Sequence, residues 1–331
     1  MKQTGKSKSY DFVPIAPLCK RNRGISYQTF NIQNYNGKLV LEIKVLSPLH
    51  IGTGKVILDK KMKEDTMKFV ANSQGKIVPG SSLKGVVRTV AEAVSFSCAP
   101  KIPRKLKSSG SFPKNNAKPC YSYENQCPAC SVFGMMSNNK GYKGKVLFRD
   151  FQLMKGQTGT RFFPNTFGKK DKNYWDQYLE PSLNIKSDKK RIKGRKFYFS
   201  RRPEDTFVMQ MGRKKGTTRE VVLPGAIFQG EIIFQNMTEE EMGLLLYSLD
   251  IGHNFIMKLG YGKCLGYGKV QMDLLEVQPR ETGITLEKDI RQRYTVENMK
   301  ELAAKYRKEA LEKDRLKQIV SKFEEIMGDN G

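Results

Sequence analysis

Histidine is scarce in this chain: His50 and His253 are the two imidazoles among 331 residues. General acid–base chemistry is therefore thinly provisioned. No Walker A loop and no G-x-S-x-G elbow occur, which sets aside phosphate-loop NTPases and α/β-hydrolases. No run of eighteen apolar residues occurs, so no membrane span is expected. The opening Met1-Lys2-Gln3-Thr4-Gly5-Lys6 lacks the apolar stretch of a signal peptide. The expectation is a cytoplasmic protein without membrane partners, in which six cysteines act as free thiols or metal ligands rather than as a disulfide framework. Acidic residues are also in short supply. With 33 Asp+Glu against 59 Lys+Arg, the chain carries a formal +26, which points to a polyanionic partner, the expectation being nucleic acid.

The apolar pattern gives an order of elements. Leu39–Leu46 alternates and reads as a strand, followed by a helix from Ser81 to about Ala93 with Leu83, Val86, Val87, Val90 and Ala91 on one face. Lys145–Leu153 and Ala226–Phe234 read as a second and third strand. Thr238 and Glu241 form a capping box for a helix through Leu249, and Lys269–Leu275 is a fourth strand. This β-α-β-β-α-β order predicts an α+β, ferredoxin-like (RRM-like) sheet with helices on one face. Residues 1–38 form an N-terminal extension and 39–278 the main domain. That domain carries two long insertions, 97–144 and 156–223, and residues 279–331 form a charged helical tail that packs on its own domain or on a neighbour. Between Lys186 and Arg219 there are 13 Lys/Arg against 3 Asp/Glu, interrupted by Phe197-Tyr198-Phe199. That segment reads as a solvated basic hairpin that docks on phosphates.

Three sites follow from residue chemistry. Cys127-Pro128-Ala129-Cys130 is a C-x-x-C with Cys120 and Cys98 upstream, and these four can form a tetrahedral structural zinc site, leaving Cys19 and Cys264 as spares. The segment Leu259–Val270 packs four glycines, two tyrosines and two lysines into twelve positions. Its Gly260, Tyr261, Gly262, Lys263, Gly266, Tyr267 and Gly268 suggest exposed backbone amides and stacking faces for RNA. Asp59 and Asp65 lie in a lysine-rich loop, where they either hold a divalent cation beside a phosphate or are solvated surface charges. His50 and His253 read as structural rather than catalytic.

Four segments then converge on one family. Ile77-Val78-Pro79-Gly80-Ser81-Ser82-Leu83-Lys84-Gly85-Val86-Val87-Arg88 resembles the signature of RAMP proteins in type III CRISPR effector complexes. Cys127-Pro128-Ala129-Cys130-Ser131-Val132-Phe133-Gly134 resembles the same family's cysteine segment, and Pro224–Phe228 and the Gly260–Gly268 loop match its later landmarks. The resemblance implies a backbone subunit that holds CRISPR guide RNA and target RNA beside other RAMP subunits. Its palm would grip guide phosphates through the glycine loop and the helix start, with Ser81, Ser82, Lys84 and Arg88. The 156–223 insertion would be a thumb hairpin wedged between bases. In slicing members an aspartate after the first strand cuts target RNA with Mg2+ or Mn2+. Asp65 falls near that position and Asp59 competes with it, but Thr66 and Met67 replace the family's Asn-Pro context. Two alternatives stay open: a guide-processing endoribonuclease of the same superfamily using His50, and a non-catalytic basic RNA-binding protein.

Overall fold

Strand β2 (Tyr35–Val45) shows why the sheet forms: Leu39, Leu41, Ile43 and Val45 alternate along it and are all buried, while the residues between them are less so. A computed structural model describes residues 9–24, 30–59, 64–99, 110–111, 116, 118–137, 140–164, 176–181, 190–200, 216–280 and 288–328. Before β2 lies β1 (Tyr10–Val13). After it come the hairpin β3 (Gly52–Asp59) and β4 (Glu64–Phe69), then β5 (Gly75–Val78), which leads into α1 (Gly80–Ala93). Next are helix α2 (Pro128–Phe133), the hairpin β6 (Gly134–Ser137) and β7 (Lys140–Lys143), and the strands β8 (Val146–Phe148) and β9 (Phe151–Lys155). The second insertion supplies β10 (Thr158–Pro164), β11 (Lys190–Ile192), β12 (Arg195–Tyr198) and β13 (Gly216–Val222). Then follow β14 (Ile227–Met237), α3 (Glu239–Ser248), β15 (Met257–Lys258), β16 (Lys269–Pro279), α4 (Val296–Glu312) and α5 (Asp314–Met327).

The molecule is a mixed α+β protein. Its main sheet runs in the order β15-β16-β2-β14-β9-β5, every one of these pairs antiparallel. The capping box is present: Glu241 N donates to Thr238 Oγ1 at 3.3 Å and Thr238 N to Glu241 Oε2 at 2.9 Å. Glu241 also receives the buried Lys145 Nζ at 2.6 Å.

The expected strand Lys145–Leu153 is two strands. Both β8 and β9 pair with β14, and the break at Arg149-Asp150 receives the start of α1. Asp150 Oδ1 accepts from Gly80 N at 2.9 Å, and a Cβ on Gly80 would lie 2.2 Å from the Phe148 carbonyl oxygen. The second insertion is not one free hairpin. β10 and β13 pair antiparallel at its base, and β13 joins β4 in parallel to make a second sheet, β10-β13-β4-β3. β12 folds back to pair with β1, which brings the N-terminal extension into the fold. The aromatic triplet is accordingly internal: Phe197 is buried and meets Phe323 edge-on at 5.2 Å, and Phe199 packs against the main core. Residues 186–189 and 201–215 of the basic segment lie outside the described residues.

Among the described residues the tail holds a short helix, Lys288–Gln292, and two longer ones separated at Lys313, whose extended backbone (φ −76, ψ 104) ends one and begins the next. Leu316, Ile319, Val320, Phe323 and Met327 are buried, and Leu302 and Tyr306 pack at the core's edge. Phe323→Ala should cost about 3–5 kcal/mol, because a fully buried ring between Phe197 and Phe255 leaves a cavity. Chemical denaturation reads this as a lowered midpoint. An unchanged midpoint would show that α5 does not contribute to the folded domain.

Candidate nucleic-acid interface and metal centre

The four cysteines meet. Cys98, Cys120, Cys127 and Cys130 are buried, and their Sγ atoms all lie within 4.8 Å of one another. Cys98 Sγ is 3.7 Å from Cys130 Sγ and 3.6 Å from Cys127 Sγ. These distances are too long for disulfides. They match the edge of about 3.8 Å that four sulfurs would share around a tetrahedral ion bound at about 2.3 Å. Local structure sets the spacing: Pro128 opens α2, so Cys127 precedes the helix and Cys130 lies one turn in. Hydrogen bonds among the clustered sulfurs draw the Cys127 thiol below its ordinary range and push those of Cys98 and Cys130 above it, which shows how closely the four are coupled. The cluster could hold a metal ion. Cys19 packs against it, and Cys264 lies elsewhere, beside Phe163 and Leu265.

The glycine segment behaves differently from its sequence reading. Gly260, Gly262, Gly266 and Gly268 all adopt left-handed backbone with φ between 75° and 90°. The turn they make is closed on the protein itself. Tyr261 N donates to the His50 carbonyl at 2.9 Å, Gly268 N to that of Pro48 at 3.0 Å, and Leu265 N and Tyr267 N both to that of Gly262. A Cβ on Gly262 would lie 2.6 Å from the Phe163 ring. Tyr267 is buried against Phe163, and desolvation lowers the pKa of Lys263. The cradle of open amides expected here is thus a packed support, in which Tyr261 is the exposed member, its ring under the Arg219 guanidinium at 4.0 Å.

His50 is fully buried with both ring nitrogens engaged. Nδ1 donates to the Glu220 carbonyl at 2.6 Å, so Nε2 accepts from Arg219 Nη1 at 3.3 Å. Burial holds its pKa below the ordinary imidazole value. A neutral, doubly bonded imidazole has no site left for proton transfer. His253 faces Asp273 at 3.2 Å near the surface.

At the start of α1, Ser81 is exposed and Ser82 and Lys84 are half-buried. The Asp150 carboxylate already holds the Gly80 amide, so the helix terminus expected to take a phosphate carries an internal anion. Arg88 is also engaged. It donates to Glu92 at 2.8 Å and to the Gly134 carbonyl at 2.9 Å, and reaches Cys130 Sγ at 3.8 Å. Asp59 and Asp65 are not in an open loop: they lie on strands β3 and β4, with Asp59 paired to Glu64 and Leu58 to Asp65. Their side chains, and residues 60–63, lie outside the described residues.

Among the described residues, one open cationic feature is a groove of about 1060 Å³ between α1, the β6–β7 hairpin and β12. Lys84, Arg88, Lys143, Arg195 and Lys196 line it against one carboxylate, Glu92. Its sign therefore suits an anionic ligand. Tyr142 and Tyr178 add aromatic surface. Arg195 and Lys196 belong to the basic segment read as phosphate-docking and Lys143 to the first insertion, and only the fold brings all three to Lys84. Glu92 had a local signal, four residues after Arg88 on one helix.

A family model described as the RAMP superfamily matches residues 42–271. The chain belongs to the RAMP superfamily. Membership gives this RAMP protein a CRISPR-associated, RNA-binding role. No curated protein matches it. Among the described residues no helix is long and apolar enough to cross a membrane. For this RAMP protein, Cys127→Ser should lower both metal content per chain and the unfolding midpoint, while Cys264→Ser leaves both unchanged. Elemental analysis and thermal unfolding check this, and equal metal content in wild type and Cys127→Ser would remove the cage as a metal site.

Proposed function

We propose that this RAMP protein is a guide-RNA-binding backbone subunit of a type III CRISPR ribonucleoprotein, holding the guide–target duplex beside other RAMP subunits. The observation that carries the reading is the cationic groove along α1, the helix that bears the family's Pro79–Arg88 signature. The main-sheet order, with β16 and β14 flanking β2 and β9 outside β14, fits a ferredoxin-like palm. The β10–β13 ribbon fits the base of a thumb. Lys84, Ser81 and Ser82 are the palm's contacts with guide phosphates, joined by Tyr261 as a stacking face. Zn2+ is the ion for the four-cysteine cage, in a structural role, because four thiolates at tetrahedral spacing suit it. Base pairing supplies sequence specificity, while the protein grips backbone and shape.

Purification from the native host with sequencing of the bound RNA tests the reading. Discrete guide-sized RNA together with other RAMP subunits is expected, and recovery free of both would sink it. Lys84→Ala should weaken RNA binding at every sequence and reduce the salt dependence of log K by about one. Titration at several salt concentrations reads the slope, and an unchanged slope would take Lys84 out of the phosphate contacts.

Target cleavage with Mg2+ or Mn2+ is the finer part of the proposal. The β3–β4 hairpin, bearing Asp59 and Asp65 on adjacent rungs, is its location. In the assembled complex, Asp65→Ala should abolish metal-dependent cleavage while guide binding is kept. If neither Asp65→Ala nor Asp59→Ala slows it, the hairpin is not the cutting site.

A further inference from the structure

The groove and the cysteine cage share a wall, and two arginines belong to both. Arg88 reaches Cys130 Sγ at 3.8 Å, and Arg195 donates to the Cys98 carbonyl at 3.2 Å. Glu92 stands between them, accepting from Arg88 Nε at 2.8 Å and from Arg195 Nη1 at 3.0 Å. Arg88 and Glu92 come from α1 and Arg195 from β12, 103 residues beyond Glu92. Ser95–Ala99 and Pro119–Gln126, which bring Cys98 and Cys120 to the cage, have little regular structure of their own. Ser95 Oγ donates to the Ala91 carbonyl of α1 at 2.6 Å, and Lys20 and Asn22 hold Phe96 and Gln126 through backbone hydrogen bonds, so the cage and its arginine contacts are further ties between these segments and α1.

Charge makes the connection directional. Four thiolates around a divalent cation carry a net charge of −2. With a metal bound, that charge would attract the flanking guanidiniums of Arg88 and Arg195, which already lie against Cys130 Sγ and the Cys98 carbonyl. The same charge lowers the groove's positive potential, an opposing effect. The arginines beside the cage offset it locally, whereas walls left unfixed must be ordered at the expense of RNA affinity.

We infer that metal occupancy of the Cys98–Cys120–Cys127–Cys130 cage and RNA binding in the adjacent groove are positively coupled, with Arg195 as the positioning residue that links them. The inference rests on the RNA-binding reading above. By linkage the coupling is reciprocal: metal raises RNA affinity and RNA raises metal affinity by one factor.

The test uses the full chain, a fluorescently labelled single-stranded RNA of mixed sequence, and Zn2+. Zinc affinity is measured by competition with a chromophoric chelator, with and without saturating RNA, and RNA affinity by anisotropy of the loaded protein. RNA is expected to raise zinc affinity roughly tenfold. Arg195→Gln is expected to keep one zinc per chain and to lose most of that RNA effect. An RNA-independent zinc affinity in wild-type protein that binds RNA overturns the coupling alone. An RNA effect of full size in Arg195→Gln overturns the role given to Arg195. A zinc-loaded protein that binds no RNA overturns the RNA reading and the coupling with it. Circular dichroism along the titration follows the demetallated chain, and loss of its native spectrum would assign the RNA effect to folding and overturn the groove coupling.

Discussion

The pairing of β2 with β14 on one side and β16 on the other is the constraint on which the rest of the molecule depends. Leu39, Leu41, Ile43 and Val45 are sealed at the middle of that sheet. Burial of each such side chain contributes about 1.5–3 kcal/mol, so this register is costly to shift. It fixes both ends of the functional region. At one end β2 runs into the Pro48–His50 segment that supports the glycine turn. At the other, β14 leads to Thr238 and α3, whose capping glutamate also receives Lys145 and Ser131. Ser131 lies on α2, the helix that carries Cys130. One carboxylate thus ties the sheet to the cysteine cage.

A second consequence is that the protein spends its most conspicuous groups on itself. The glycine turn closes against Pro48 and His50, Asp150 occupies the start of α1, and Arg88 is shared between Glu92 and Gly134. Groups committed in this way cannot all serve as ligands for an external anion. They form a rigid support instead, and Arg88, Arg195 and Lys196 line the groove with Lys84 and Lys143 while keeping internal partners.

The two insertions therefore act as construction elements for the groove. The first brings the four cysteines of the cage and the β6–β7 hairpin. The second brings β12, whose pairing with β1 and packing of Phe197 on Phe323 anchor Arg195 beside α1. The N-terminal extension and the C-terminal helices, which look peripheral in the linear sequence, hold that strand in place.

The amino-acid sequence by itself determined β2, β14, β16, α1 and α3, the Thr238 capping box, the apolar face of α1 and the C-x-x-C pair of the cysteine cluster. These depend on neighbours within a few residues or on a short ligand spacing. It misled where a local pattern has two physical uses. Glycine with positive φ serves an open loop or a sealed turn, and Phe197–Phe199 serves stacking or a core. Tertiary packing alone decided between them, because the deciding partners, Phe163, Pro48 and Phe323, are far away in the chain. Tertiary structure also decided the groove: Lys84, Lys143 and Arg195 become one surface only after β12 and β7 have folded back onto α1. A pattern confined to nearby residues carries no information about which distant strand will cover it.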